Sequence, residues 1–132
     1  MIHTVVLSVW LGWVVLNVVA LLLAPYVAGR RDWAFTNGLV IVVPDSIKAA
    51  LTEAELAAIY AHEQGHRAHM HPLRNLAGAL VFIPRPDDLA ARQELQADDY
   101  AAARGHGPAL ASALRKLSRH PFDVARADRM DR

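Results

Sequence analysis

The chain has 132 residues, room for one domain, with a formal net charge of +1 and no cysteine. Without cysteine there is no disulfide framework and no thiolate metal ligand. Acidic and basic residues alternate closely in the last third, which leaves no basic face for nucleic acid, so nucleic acid is excluded as a partner. Any metal site must be built from imidazoles and carboxylates, and five of the seven histidines fall between His62 and His106.

No Asp, Glu, Lys or Arg occurs from Met1 to Gly29. Val5 to Ala24 is apolar except for Ser8 and Asn17, and as a helix these residues span about 30 Å, the thickness of a bilayer's hydrocarbon. In lipid only a helix satisfies its own backbone polar groups. The expectation is a single transmembrane anchor over residues 1–29 followed by a domain over 30–132. A cleaved signal peptide fits less well, because there is no basic n-region and no small-x-small site before Gly29. Tyr26 and Trp33 sit near the expected exit from the membrane, whereas Trp10 and Trp13 lie too deep for interface aromatics. Arg30 and Arg31 have no counterpart before the helix, so the positive-inside rule places the domain on the cytoplasmic side.

Beyond the anchor, Asn37-Gly38 between the β-prone runs of Ala34–Val43 predicts a hairpin that Pro44 stops. Thr52 and Glu55 form a capping box that opens a helix running to about Met70, broken by Pro72. Leu73–Ile83 is apolar but too short to cross a bilayer; its length favours a core helix over a segment resting in the membrane surface. After Pro84 and Pro86, Asp87 or Asp88 caps a helix that runs to Arg104 and closes at Gly105. Pro108 starts a further helix to about Arg119, and the polar tail after His120 is expected to fray. The fold class is mainly α with a small β-hairpin.

His62-Glu63-Gln64-Gly65-His66 lies within the capped helix. Histidines four apart share a helix face, with Cβ atoms about 5–6 Å apart, so both rings can meet one ion. Glu63, one residue round, cannot easily bind the same ion but can reach a water on it. Zinc lowers the pKa of such a water to about 7, and a carboxylate base then takes its proton during attack on a carbonyl. A third protein ligand keeps zinc in place while leaving the fourth position open. The later acidic helix supplies one: Glu94 and Asp98 share a face, with Glu94 of longer reach as ligand and Asp98 behind it as acceptor for a ligand imidazole. Asp99 points elsewhere, and His69 and His71 read as helix-end residues near a C-terminal dipole. His106 reads as a loop residue.

At this point the chain resembles the gluzincin membrane peptidases of the HtpX and CAAX prenyl protease type. Their H-E-x-x-H followed by E-x-x-x-D is matched by His62-Glu63-x-x-His66 and Glu94-x-x-x-Asp98. The flanks resemble theirs from Ala34 to Arg126, including His71 after the motif and His120-Pro121 with Arg126. The resemblance implies a zincin-like α+β core and a zinc endopeptidase holding one Zn2+ through His62, His66 and Glu94, with Asp98 as the partner of a ligand histidine. It further implies strand addition of a peptide or protein substrate along Leu39–Val43. It also suggests that His120 holds the developing oxyanion, with Arg126 fixing the local structure. Relatives are longer and have several spans, and the β-lactam-sensor type of membrane metallopeptidase shares a similar core. The competing functions are a non-cleaving, zinc-binding regulatory membrane protein and a metal-free membrane scaffold. Glu63 speaks against the regulatory reading, since a structural zinc site needs no base.

Overall fold

A computed structural model describes residues 2–28, 33–84 and 86–131. The apolar N-terminal run is one helix, α1 (Ile2–Ala28), of which His3–Ala24 is long and apolar enough to cross a membrane. The two polar side chains within Val5–Ala24 turn back on the helix: Ser8 Oγ donates to Thr4 O and Asn17 Nδ2 to Trp13 O. Arg30, Arg31 and the side chain of Tyr26, which carried the expected sidedness and exit, lie outside the described residues.

The hairpin forms with β1 (Phe35–Thr36) antiparallel to β2 (Ile41–Val42), Phe35 opposite Val42 and Thr36 opposite Ile41. It is shorter than expected, and Leu39 and Val40 belong to its four-residue loop instead of a strand. The cause is the Asn37 side chain, whose Oδ1 accepts from the N–H groups of Leu39 and Val40, both at 3.0 Å, and so winds a local turn in place of a ladder. Gly38 sits at φ 92°, where a side chain would be strained. Directly after Pro44 a short helix, α2 (Asp45–Ala50), buries Ile47, an element not expected from the sequence.

The capping box is present. Thr52 Oγ1 accepts from Glu55 N and Glu55 Oε2 from Thr52 N, opening α3 (Glu53–Ala68). Then follow α4 (His71–Leu80), α5 (Leu89–Ala102), α6 (Gly107–Leu117) and α7 (Pro121–Met130). Asp88 precedes α5 without capping it and instead pairs with Arg92 at 3.3 Å. The tail does not fray. His120 and Pro121 start α7, buried Arg126 ties it to α5, and Ala127 and Met130 pack it inward.

The core lies where α3, α5 and α6 meet, around Ala58, Ala61, Ala101, Leu110 and Ala113, with Val43, Ile47 and Ile59 at its edge. Small side chains let the helices approach closely, and Gly65 marks the tightest point. A Cβ there would stand 2.8 Å from Ala97 Cα and 3.0 Å from Tyr100 Cβ. The α3–α5 contact is therefore nearly backbone to backbone, which brings the histidine helix against the acidic one. Leu73–Ile83 is not part of this core: Leu73, Val81, Phe82 and Ile83 are exposed, and α4 packs against α1. The two deep tryptophans make that contact. Trp10 Nε1 donates to Leu80 O at 3.3 Å, Trp13 Nε1 donates to Ala79 O at 3.2 Å, and Trp13 stacks on Phe82.

Candidate metal centre

His62 and His66 point from one face of α3 toward Glu94 on α5. His62 Nε2 lies 3.1 Å from His66 Nε2 and 3.3 Å from Glu94 Oε2, and His66 Nε2 lies 3.4 Å from Glu94 Oε1. Zinc bonds of about 2.0–2.1 Å in a tetrahedron put neighbouring ligand atoms about 3.3–3.4 Å apart. Each imidazole nitrogen stands near that spacing from the other and from one Glu94 oxygen, one ligand atom from each residue lies within 4.8 Å of the others, and two imidazoles with a carboxylate suit zinc. By this test the residues fit the metal.

Each imidazole is held by its other nitrogen. His62 Nδ1 donates to Asp98 Oδ1 at 3.0 Å, which leaves Nε2 with its lone pair toward the site. Asp98 is fully buried and clasped by Arg126, whose Nε meets Oδ2 at 2.8 Å and Nη2 meets Oδ1 at 2.7 Å. The same guanidinium reaches Glu94 Oε2 at 3.1 Å and Asp123 Oδ1 at 3.0 Å. One buried cation therefore anchors Glu94 and Asp98 of α5 from α7.

His66 Nδ1 lies 2.9 Å from His71 Nδ1, and His71 Nε2 lies 2.9 Å from Gln96 Oε1. With His66 Nε2 turned to the ligand set, its Nδ1 carries the hydrogen and donates to His71, which in turn donates to Gln96. His71 is only 2 % exposed, and burial foremost pushes its pKa down, which suits a neutral acceptor. It was expected at an open helix end. Instead, the left-handed turn at Met70 (φ 55°) folds it back under His66. His69 accepts that helix-end description better, its Nδ1 lying 2.8 Å from Gly65 O.

Burial opposes charge throughout the site but does not win everywhere. For His62, burial alone would lower the pKa, yet hydrogen bonds to Asp98 and Glu94 carry it up to about 9 without a metal, so that Nε2 would give up a proton on binding one and free its lone pair. Burial likewise favours the neutral carboxyl of Glu94, but the hydrogen bonds of His62 and His66 hold it well below the usual carboxylate range. Asp98 is lowered in the same way by Arg126 and His62. Glu63 goes the other way: burial raises it, and the nearby positive charges only partly oppose this. A carboxylate moved toward neutral pH is better matched to taking and returning a proton.

The site opens into a cleft of about 840 Å³, whose wall includes Glu63, His66, Glu94 and Arg126. Asn17 and Leu21 of α1 contribute to the same wall, and so do Asn75 and Gln93, which exchange a reciprocal pair of amide hydrogen bonds. Of the residues singled out in the sequence, the structure brings together His62, Glu63, His66, Glu94, Asp98 and Arg126. Asp99 faces away, bound by Arg129 at 2.7 Å. His120 is exposed and caps α7, its Nδ1 accepting from Phe122 N at 3.3 Å. From its segment the described cleft wall takes Ser118, Asp123 and Arg126. The sequence reading missed the part of His71, Gln96 and Gly65. His71 alone left a signal, as the histidine trailing the motif.

The family model of peptidase family M48 matches residues 26–84. That stretch contains the hairpin, α2, the histidine helix and α4, and stops before Glu94, Asp98 and Arg126. Neither the curated proteins nor the solved structures include a match to this chain. Over the part that carries His62, Glu63 and His66, the chain is similar to the M48 metallopeptidases, zinc-dependent hydrolases, and the match supports that family.

Proposed function

We propose that the chain is a membrane-anchored zinc metalloendopeptidase of zincin-like core. The observation that carries this reading is the spacing of His62 Nε2, His66 Nε2 and a Glu94 carboxylate beside an open cleft walled by Glu63. The M48 match over the same helix supports it. His62, His66 and Glu94 hold one zinc ion, which supplies Lewis acidity and lowers the pKa of a coordinated water to about 7.

Around that centre the side chains divide the work. Glu63 takes the proton of the attacking water and returns it to the leaving amine of a peptide or protein substrate. Asp98 and His71 fix the ring nitrogens of the two histidines, so that both lone pairs converge without further ordering. Arg126 keeps Glu94 and Asp98 in place and balances their charge. His120, at the start of α7 six residues before Arg126, is the candidate to hold the developing oxyanion. The α1 helix anchors the chain in the bilayer, and Arg30 and Arg31 favour a cytoplasmic domain.

The test is zinc content and peptide hydrolysis of the detergent-purified full chain, before and after chelation. The reading predicts one zinc per chain, activity lost on chelation and activity restored by zinc. A chain that binds no zinc contradicts it.

A further inference from the structure

We propose that α4 and the turn after it, over residues 73–83, form a second, re-entrant membrane element. It lies against α1 in the bilayer hydrocarbon and does not belong to the water-facing domain. The proposal rests on the reading of α1 as a membrane anchor.

Four observations carry it. First, no Asp, Glu, Lys or Arg lies between Arg74 and Arg85, and Leu73, Val81, Phe82 and Ile83 are 53–65 % exposed, a continuous apolar surface with α1 beside it. Second, the lengths allow a dip and return. Trp10 and Trp13, which bind the end of α4, stand eleven to fourteen residues before Ala24, or about 17–21 Å down a helix that spans about 30 Å of hydrocarbon. From Arg74 to Leu80 the helix descends about 9 Å, so its start stands about 8–12 Å below Ala24 and the exposed Arg74 side chain snorkels toward the surface.

Third, the end of α4 is closed as hydrocarbon requires, where a free carbonyl has no water to bind. Ile83 N donates to Gly78 O and Phe82 N to Ala79 O, and the indoles of Trp10 and Trp13 cover Leu80 O and Ala79 O. In water the last carbonyls of a helix are solvated without help, and two tryptophans from a distant helix are not needed. Fourth, Phe82 occupies the left-handed region at φ 56°, a position usually given to glycine. A side chain there is strained. The return is an apolar ring held outward and stacked on Trp13 at a centroid distance of 5.7 Å. Asp87 and Asp88 are exposed again four and five residues after Ile83, a length that can climb about 13–18 Å when extended. The immersed part therefore ends before them.

The occupant of this surface is lipid acyl chain, because the surface continues that of α1 at the same depth. One consequence concerns the site. Pro72, Asn75, Leu76 and Ala79 of α4 line the metal cleft together with Asn17 and Leu21 of α1, so the two membrane elements form one wall of it. On that side the cleft then borders the bilayer.

The chain has no cysteine, so single cysteines can be placed without background. Phe82→Cys and Ile83→Cys are labelled with an environment-sensitive fluorophore in vesicles whose acyl chains carry a mid-chain nitroxide. Val15→Cys on α1 and Ala103→Cys at the far end of α5 serve as references, and each variant is first checked for zinc binding. Ile83→Cys keeps the test open should Phe82→Cys not fold. The proposal predicts quenching at 82, 83 and 15, none at 103, and protection of 82 and 83 from a membrane-impermeant maleimide. Quenching at 15 with 82 and 83 labelled as fast as 103 overturns the proposal and leaves the anchor standing. No quenching at 15 shows that α1 does not enter the bilayer, and overturns both.

Discussion

Gly65 is the residue on which the alignment of the two site helices depends, and Gly65→Ala is the smallest change that disturbs it. The added Cβ would meet Ala97 Cα at 2.8 Å, Ala97 O at 3.0 Å and Tyr100 Cβ at 3.0 Å. Carbon atoms pack at about 3.5–4.0 Å, so α5 must recede by roughly 0.5–1 Å. Backbone, not a flexible side-chain end, is what stands in the way. Overpacking of this kind costs about 1–3 kcal/mol of stability. Glu94 and Asp98 flank Ala97 on the same helix, and they move with it. Metal sites hold ligand distances to about ±0.2 Å, so the shift exceeds what the centre absorbs, and zinc affinity should fall on the order of 10–100-fold. Thermal unfolding and zinc competition against a chelator read the two effects separately. Gly78→Ala in α4 is the control, since nothing stands within 4 Å of its added Cβ, and it should leave zinc affinity unchanged. If Gly65→Ala matches the parent chain in both stability and zinc affinity, the close α3–α5 approach does not position the site.

Two further predictions separate ligand from support and test the α3–α6 tie. Glu94→Ala should lose zinc on dialysis against a weak chelator, whereas Asp98→Asn should weaken it about 10–100-fold, because His62 loses its anionic partner but keeps its lone pair. Zinc retained by Glu94→Ala but lost by Asp98→Asn would exchange the two roles. Glu55 accepts from Lys116 Nζ at 2.7 Å and Ser112 Oγ at 2.6 Å, and these bonds hold its pKa down to about 2. A depressed carboxyl contributes stability above its unfolded value, and that contribution is lost as pH falls through the folded one. The stability gap between the parent and Glu55→Gln should therefore be full above about pH 4.5 and close between there and about pH 2. A gap that stays constant over that window shows that the Lys116 and Ser112 bonds are not what Glu55 contributes.

The helices were legible wherever a local rule operates. Thr52 and Glu55 announce α3, and Gly105 and Pro108 mark the joint between α5 and α6. The ligand candidates were legible because the four-residue spacings, His62 to His66 and Glu94 to Asp98, each specify one helix face. What stayed hidden depends on contacts distant in sequence. The helix α7 is held by Arg126 on Asp98, 28 residues away, so its polar sequence read as a fraying tail. The hairpin signal was right, but the Asn37 side chain spends Leu39 and Val40 on a loop. His71 looked like a helix end because nothing local reveals the left-handed turn at Met70. Leu73–Ile83 read as core because apolar composition does not say whether protein or lipid covers it, and Trp10 and Trp13 had no role until α4 was placed beside them.

The central claim is that Glu63 does proton chemistry beside a zinc ion held by His62, His66 and Glu94. Glu63→Gln tests it most directly, because the amide keeps the shape and cannot accept the proton. Zinc content and peptide hydrolysis are measured on the same preparation. The account predicts a full equivalent of zinc with turnover lowered by about 10²–10⁴-fold. Zinc retained with turnover near that of the parent chain would contradict it.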